Sequence, residues 1–395
     1  MIYLDNAASA PVHPKALAAA MPFITENFAN PSSAHTPGRE AALAVIKARE
    51  QCAAALGALP DEIYFTSGGT ESDNLAIFSA LNYTGKRRII TTEIEHPAVL
   101  NACKELQRRD IAKPTSEARH PCRAFEHWRG FEVVRIAPDS EGIIHAESIA
   151  AAIDDNTALV SVMTANNEIG TLQPIAEIGR LCREKSIPFH TDAVQAVGNI
   201  PLDMRELPVD MLSVSAHKIG GIKGAGLLYV RNGTPLSPMI FGGGQERGMR
   251  SGTENTAAIA ALGAAIENAA ADIPQRTSKI SRLRNILIDR LKKIPDSRLN
   301  GSRTARLCGN VNFSFLGIDG EALVMSLDLM GVCASTASAC SSGKQSRSHV
   351  LKSLGLPKEW IDGTLRLSLS EHNTEEEIHA AADIIAECVA RQRND

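Results

Sequence analysis

The chain has 395 residues, which is enough for two domains of ordinary size with a substantial core. Hydrophobic residues make up 44% and charged residues 22%, with a formal net charge of -4, so neither nucleic acid nor an acidic membrane surface is expected as the main partner. No run of about 18 apolar residues occurs, and the sequence at residues 1–5 does not have the basic residues that begin a signal peptide. We therefore expect no transmembrane helix and a cytoplasmic location.

The eight cysteines are scattered and contain no CxxC pair, which argues against a disulfide framework or a zinc site. Four of them lie in helix-like segments and are expected to be buried small hydrophobes: Cys52, Cys103, Cys182 and Cys388. Cys333 lies in an apolar run and is expected to be buried as well.

From residue 63 to residue 230, short β-rich runs alternate with helical patterns. The predicted strands are 63–65, 88–91, 132–135, 158–162, 187–190, 211–214 and 227–230, and the predicted helices are 71–80, 97–108 and 175–185. This alternation predicts an α/β fold whose mostly parallel sheet is covered on both faces. In such sheets, ligands lie at the carboxyl ends of the strands.

After Thr253 the pattern changes to that of a smaller α+β domain. It predicts helices 255–271, 277–293, 320–329 and 374–391 and strands 311–315 and 364–369, with a capping box formed by Thr374 and Glu377. We expect residues 16–254 to form a large domain, and residues 1–15 plus 255–395 to form a small one. Residues 109–130 are polar and aperiodic, which is typical of a surface insertion; their Cys and His residues match no common metal site well.

Lys218 follows a predicted strand and is flanked by Ser215, His217 and two glycines. A lysine at the mouth of a strand, beside a hydroxyl and an imidazole that can bind phosphate, is what a pyridoxal phosphate (PLP) enzyme needs. Lys223, five residues further on, is the competing lysine, but it lies deeper in the glycine-rich turn and is typical of a loop residue.

Asp192 ends another predicted strand, where a carboxylate can face the pyridine nitrogen of PLP and keep it protonated. Gln195 is close enough in sequence to reach the ring hydroxyl. The run from Thr66 to Glu71 places glycines and Thr70 between a strand and a helix, which makes an anion site from backbone N–H groups and the helix dipole.

Three further candidates follow from position and chemistry. His96 comes after a predicted strand and can stack on a cofactor ring and move protons. Asn167 follows the strand at 158–162, and Arg366 suits bidentate binding of a substrate carboxylate. Cys340 stands in the middle of a loop of small and hydroxyl residues, 335–343, and its thiol is therefore a candidate nucleophile.

With these residues the chain resembles the cysteine desulfurases of the NifS/IscS family, within the class V aminotransferase group. The resemblance runs over nearly the whole length. The motifs that carry it are IYLDNAA at 2–8, NPSSAH at 30–35, FTSGGTES at 65–72, EH at 95–96, NNEIG at 166–170, DAVQ at 192–195, SAHK at 215–218, GGGQER at 242–247 and RSGT at 250–253.

The resemblance implies a PLP-dependent transferase of fold type I, similar to aspartate aminotransferase. It implies Lys218 as the Schiff-base lysine and Cys340, on a loop at 335–346, as the residue that accepts sulfur from L-cysteine as a persulfide. The other implied roles are phosphate binding by Gly69, Thr70, Ser215 and His217, ring contacts by His96, Asp192 and Gln195, and substrate binding by Asn167 and Arg366. Thr253 would reach the phosphate of a partner subunit, which implies a homodimer.

Other functions are compatible with the same sequence features. Selenocysteine lyase and class V aminotransferase share the PLP residues, and a non-catalytic scaffold would keep the fold alone. The sulfur acceptor would be an iron–sulfur scaffold protein or a tRNA-thiolation protein. The sequence departs from the family at Gly220, Gly221 and Ile222, where a bulky residue and a proline are usual, and the consequence for the site is open.

Overall fold

The structure is a computed structural model that describes residues 1–111, 130–336 and 347–394. The strands are β1 Ile2–Tyr3, β2 Ile63–Thr66, β3 Arg88–Thr92, β4 Glu132–Ile136, β5 Thr157–Ser161, β6 Phe189–Asp192, β7 Met211–Ser215, β8 Gly226–Val230, β9 Ser297–Leu299, β10 Asn310–Phe315, β11 Val332–Cys333 and β12 Thr364–Ser368. The helices are α1 Pro14–Thr25, α2 Thr36–Leu56, α3 Gly69–Thr84, α4 Pro97–Ile111, α5 Ala146–Ala152, α6 Ile175–Glu184, α7 Thr256–Ala270, α8 Ile273–Leu291, α9 Gly320–Leu329, α10 His349–Ser353, α11 Lys358–Asp362 and α12 Glu375–Asn394.

The central sheet has seven strands in the order β2-β8-β7-β6-β5-β3-β4. Strand β8 runs antiparallel to both of its neighbours, and the other neighbouring pairs are parallel. The prediction of a mostly parallel sheet is therefore confirmed. Because β6 pairs with β7, with Asp192 opposite Ser213, the strands that carry Asp192 and lead to Lys218 end side by side.

Helices cover both faces of this sheet, as the alternating pattern predicts. In β7, Leu212 packs into the core that includes Val45 of α2 and Leu262 of α7. Its neighbour Met211 faces the other way, into the core formed with α3 and α4, which includes Leu75 and Val99. All five residues of β7 are buried, as expected for a strand covered on both sides.

A second core lies around the antiparallel sheet β12-β10-β9 and helices α8, α9 and α12. Leu4, which follows β1, belongs to it, because β1 pairs in parallel with β11 and brings the first residues of the chain there. Helix α7 packs against α1 and α2, with Ile259 and Leu262 in the larger core. The proposed domain division at residues 254 and 255 stays a prediction.

Several local predictions agree with the structure, and others do not. The capping box is present, since Glu377 Oε2 accepts from Thr374 N and Thr374 Oγ1 accepts from Glu377 N, both at 3.2 Å. The four cysteines predicted to be buried are buried, whereas Cys333 is only half-buried because its strand pairs solely with β1 among the described strands. Helices α1 and α2 were not predicted, and α3 is longer at both ends than the predicted 71–80.

None of the described helices is by itself long and apolar enough to cross a membrane, and the pair α7 and α8, bent by 76°, passes that test only when the two are joined.

Candidate active site

A cavity of about 210 Å³ opens at the carboxyl ends of β6 and β7. Ten of the predicted residues line it: Gly69, Thr70, His96, Asn167, Asp192, Gln195, Ser215, His217, Lys218 and Arg366. These residues are up to 297 positions apart in the sequence, and the fold brings them to one place. Cys340 lies outside the described residues, as do residues 112–129, which carry the Cys and His residues of the predicted insertion.

Lys218 ends a single turn of 3-10 helix directly after β7. Its Nζ donates to the main-chain oxygens of Ala7 at 2.5 Å and Ala8 at 2.9 Å. Gln195 Nε2 donates to the same Ala7 oxygen at 3.0 Å. The N-terminal segment thus contacts the two residues predicted to hold the cofactor, while the competing Lys223 is exposed to solvent.

Gly220 and Gly221 allow the chain to turn tightly behind Lys218. Gly220 has a φ of 82°, which favours glycine, and its oxygen accepts from His13 N at 2.8 Å. A Cβ on Gly221 would lie 2.8 Å from the Cβ of Ala216, closer than two carbon atoms approach. Glycine therefore suits the backbone at both positions. Although these residues differ from the family pattern, Lys218 still lies in the cavity.

Asp192 is the last residue of β6, and its carboxyl group is buried. Its Oδ1 accepts from Val194 N at 2.9 Å. Burial raises the pKa of Asp192 to about 6, while the hydrogen bond from Val194 and the positive charge of Lys218 act in the opposite direction. At neutral pH this group is therefore an anion, as a partner for a protonated ring nitrogen must be.

The glycine run forms the start of α3, and its first-turn N–H groups have no partner within the helix. A Cβ on Gly69 would lie 2.7 Å from Val194 Cγ2, so the close approach of α3 to this loop requires glycine. Ser215 and His217 line the same cavity from the end of β7. Burial, and next Lys218, lower the pKa of His217 to about 4, so the imidazole is neutral at pH 7.

His96 lies between β3 and α4. Its Nδ1 accepts from Ala98 N at 3.1 Å, which leaves the ring proton on Nε2. Burial, and next the positive charges of Lys218 and His349, lower the pKa of His96 to about 4. The side chain is thus a neutral imidazole whose Nε2–H is available to a bound molecule.

Arg366, on β12, is 1% exposed. Its Nη1 donates to the main-chain oxygen of Asn167 at 3.3 Å, its Nη2 donates to Asp5 Oδ1 at 3.1 Å, and its Nε has no hydrogen-bond partner among the described residues. Its backbone pairs with Ser335, where Arg366 N donates to Ser335 O at 2.7 Å. Ser335, five positions before Cys340, therefore lies beside the backbone of Arg366.

Four carboxylic side chains near the cavity were missed as site residues: Asp5, Asp73, Glu95 and Glu168. Asp73 lines the cavity from α3, and Glu95 and Glu168 are buried next to His96 and Asn167. Burial raises the pKa of Glu95 to about 8 and that of Glu168 to about 7, and in Glu168 a hydrogen bond from Ser348 and the charge of Arg366 oppose this. Glu95 and Glu168 lie within the motifs at 95–96 and 166–170, so a search of those motifs for carboxylates would have found them.

Thr253 does not line the Lys218 cavity. It is exposed and borders a separate pocket of about 150 Å³ together with Ser67 and Arg250. Arg250 Nε donates to Glu71 Oε1 at 2.9 Å, and Glu71 Oε2 accepts from Ser67 N at 2.8 Å. The segment that carries Thr253 is therefore fixed to the start of α3.

Comparison with known proteins decides the family. The model of the family described as aminotransferase class-V matches residues 2–116 and 111–380. A cysteine desulfurase IscS of Clostridium botulinum is 46% identical over 99% of this chain and 95% of its own length. A solved structure titled "NIFS-LIKE PROTEIN" superposes with a TM-score of 0.88 at 36% identity over 99% of each chain, and one titled "SspA in complex with cysteine" with a TM-score of 0.78 at 35% identity over 95% of this chain and 100% of that one.

The chain belongs to the class V aminotransferase family. Within it, the chain is a PLP-dependent cysteine desulfurase of the NifS/IscS type, with the fold of those enzymes.

The cavity of this desulfurase fits PLP on its own chemistry. It offers an amine at Lys218, a buried anion at Asp192, a neutral imidazole at His96 and a helix start with the nearby hydroxyls of Thr70 and Ser215. These match an aldehyde, a ring nitrogen, a flat ring and a phosphate. When bound, PLP supplies an electron sink for the bonds at the substrate's Cα.

Proposed function

We propose that the chain removes sulfur from L-cysteine and releases L-alanine, with Lys218 as the covalent cofactor lysine and Cys340 as the sulfur acceptor. The observation that carries this proposal is the single cavity in which Lys218 and Asp192 lie with Arg366. The first two residues suit the cofactor, and the third suits the carboxylate of an amino acid.

The substrate's carboxylate is bound by Arg366, which has a buried guanidinium with an Nε that lacks a hydrogen-bond partner among the described residues. Asn167 lies on the same wall, and its main-chain oxygen already orients Nη1. His96 holds a proton on Nε2 and stays uncharged at neutral pH, so it can donate a hydrogen bond without adding a positive charge beside Lys218. Gly69, Thr70, Ser215 and His217 bind the cofactor's phosphate, and Gln195 its ring hydroxyl.

Cys340 acts as a thiolate. Its sulfur attacks the sulfur of the substrate, so that an S–S bond forms as the substrate's C–S bond breaks. The electron pair of the broken bond passes to the three-carbon fragment, which takes up a proton and leaves as L-alanine. The enzyme keeps the sulfur as a persulfide on Cys340.

The test is the substitution Cys340→Ala. We expect loss of about 100-fold or more in alanine formation from L-cysteine with dithiothreitol present, with the cofactor's visible absorbance retained. Cys333→Ala is the matched control, because Cys333 lies in the same part of the sequence and is half-buried in β11, and it should keep its activity. Normal alanine formation by Cys340→Ala would overturn the assignment, and release of selenide but not sulfide by the wild type would replace cysteine with selenocysteine as substrate.

A homodimer with shared sites is part of the proposal. Thr253 is exposed on a segment fixed to the start of α3, where it can reach the anion site of a second copy. Met239 and Phe241, which are 39% and 81% exposed, border a groove that also contains Thr70 and His96, and such a patch needs a covering partner.

Subunit mixing tests this arrangement. Lys218→Ala and Thr253→Ala chains should each be impaired as homodimers, but a mixed dimer has one intact site if Thr253 acts across the interface. We expect activity to reappear on mixing the two variants, and a monomer by sedimentation, or no recovery from confirmed mixed dimers, would refute the shared site.

The sulfur acceptor is proposed to be an iron–sulfur scaffold protein or a tRNA-thiolation protein in the cytoplasm. The support is the class of the relatives and the thiol chemistry proposed for Cys340. Labelled sulfur loaded from L-cysteine onto the enzyme and then offered to each acceptor class would distinguish the two. Retention of all label on the enzyme in both cases would contradict the proposal.

A further inference from the structure

Asp73 is a buried carboxylic acid that has no role in the proposed desulfuration. It lies one turn into α3, is 1% exposed and lines the Lys218 cavity. Its Oδ1 has no hydrogen-bond partner among the described residues. One ligand-type atom each of Asp73, Asp192 and His96 lies within 4.8 Å of the other two.

No cation of the described structure pairs directly with Asp73. His190 Nε2 is 3.6 Å from Asp73 Oδ1, but burial lowers the pKa of His190 to about 3, so the ring is neutral at pH 7. The two ring nitrogens of His190 instead contact the hydroxyls of Ser161 at 2.9 Å and Ser213 at 3.0 Å. Glu71, on the same helix, is turned towards Arg250.

The other charged or titratable groups in and behind the wall of this cavity belong to four parts of the fold. They are Asp192 at the end of β6, Glu95 and His96 after β3, His217 and Lys218 after β7, and Arg366 on β12. Strands β2, β5 and β8, which also pack against α3, contain no Asp, Glu, Lys, Arg or His in their sequences. Burial raises the pKa of Asp73 well above its ordinary value, and the charges of Asp192 and Glu95 raise it further against a hydrogen bond from Ser213. Because the carboxyl groups of Asp73 and Asp192 are close together and shielded from solvent, they do not both ionise.

We propose that Asp73 is a positioning residue that keeps a proton at neutral pH, so that Asp192 alone carries the negative charge that faces the cofactor's ring nitrogen. This role rests on the proposed binding of PLP in the cavity. A second anion beside Asp192 would raise the proton affinity of both carboxyl groups, and the proton needed on the ring would then be shared with the protein. A neutral Asp73 leaves one carboxylate for one pyridinium.

Infrared spectroscopy of the holoenzyme at pH 7 tests the protonation state directly. We expect Asp73→Asn to lose intensity in the C=O stretching band of protonated carboxylic acids. Asp203→Asn is the control, because Arg205 holds the pKa of Asp203 below its ordinary value, so this variant should lose carboxylate intensity instead. Loss of carboxylate intensity in Asp73→Asn, with the acid band unchanged, would overturn the proposal.

The pH titration of the cofactor's visible band is a second readout. If Asp73 is neutral, Asp73→Asn replaces one uncharged group with another of the same shape. The pH at the midpoint of the titration should then stay within about 0.3 pH unit of the wild-type value. If Asp73 is ionised, the variant removes a negative charge from the cavity, and the midpoint should fall by about one unit or more. A wild-type chain that shows no cofactor band would refute the proposed function, whereas a normal band with a shifted midpoint would refute only the role of Asp73.

Discussion

The two sides of the cavity handle charge in different ways. The sheet side, defined by Asp73, Glu95 and Asp192, contains carboxyl groups without a guanidinium, and burial raises the pKa of each of them. The β12 side, defined by Asp5 and Arg366, contains an ion pair in which Nη2 and Oδ1 are 3.1 Å apart. Protonation therefore sets the charge of these three carboxyl groups, whereas the carboxyl group of Asp5 on the β12 side is paired with a guanidinium.

This difference matches what each side is proposed to bind. A cofactor ring that must stay protonated needs a controlled number of anions beside it, and burial provides that control. An amino-acid carboxylate needs a cation held in one orientation, and the contacts of Arg366 with Asp5 and Asn167 provide it. Substitutions on the sheet side should therefore change pH profiles and spectra, and those on the β12 side should change KM.

Lys218→Ala should have the largest effect. Without the proposed covalent lysine, the protein should lose the cofactor's visible band after gel filtration under native conditions. Turnover should fall by about 10³-fold or more. Lys223→Ala is the control, since this lysine is exposed five residues away, and it should stay within about twofold of the wild type. If Lys223→Ala loses the band instead, the assignment of the cofactor lysine is wrong.

Arg366→Lys should have the next largest effect. The charge is kept, but the bidentate geometry and the contacts to Asp5 and Asn167 are lost, so KM for L-cysteine should rise by about 10- to 100-fold with a smaller change in kcat. Steady-state kinetics would measure the split. Arg282→Lys is the matched control, because Arg282 is an exposed arginine paired with Glu375. A fall in kcat at constant KM would place Arg366 outside substrate binding.

Glu95→Gln should change the pH dependence of stability. The folded-state pKa of about 8 lies above the ordinary 4.5, so the folded chain binds the proton more tightly than the unfolded chain does. The stabilisation is complete below the unfolded pKa and is lost as pH rises towards 8, by on the order of 2 to 5 kcal/mol. Urea unfolding at pH 6 and pH 9 should show a smaller loss in Glu95→Gln than in wild type. Glu50→Gln is the control, because Glu50 is exposed, and its free energy of unfolding should fall between the two pH values as much as that of the wild type. If the free energy of unfolding of Glu95→Gln falls by the same amount, Glu95 is ionised in the folded chain.

Asp5→Asn should have the smallest effect. The amide can still accept from Nη2, but the ion pair is lost, so Arg366 is held less firmly and KM should rise by about threefold. The visible band and its pH titration should not change, because the substitution is on the β12 side. A shifted titration midpoint would show that the two sides are not independent.

The sequence by itself determined the alternation of strands and helices between residues 63 and 230, and hence a mostly parallel sheet with a site at its carboxyl edge. Hydrophobic patterns of strands covered on both faces are strong local signals. The same sequence determined ten of the residues that line the cavity, because Lys218, Asp192 and the glycines before Thr70 stand next to strand ends in recognisable motifs. The sequence patterns did not predict helices α1 and α2.

Only the tertiary structure decided which groups face one another across the cavity. Asp5 pairs with Arg366 across 361 positions, and the oxygens of Ala7 and Ala8 accept from Lys218 across more than 200. The sequence predicts only that Asp73 lies in a helix. The fold shields its carboxyl group from solvent and places it close to Asp192. Charge states in such a place depend on burial and on neighbours that are distant in the chain, and no local pattern records either of them.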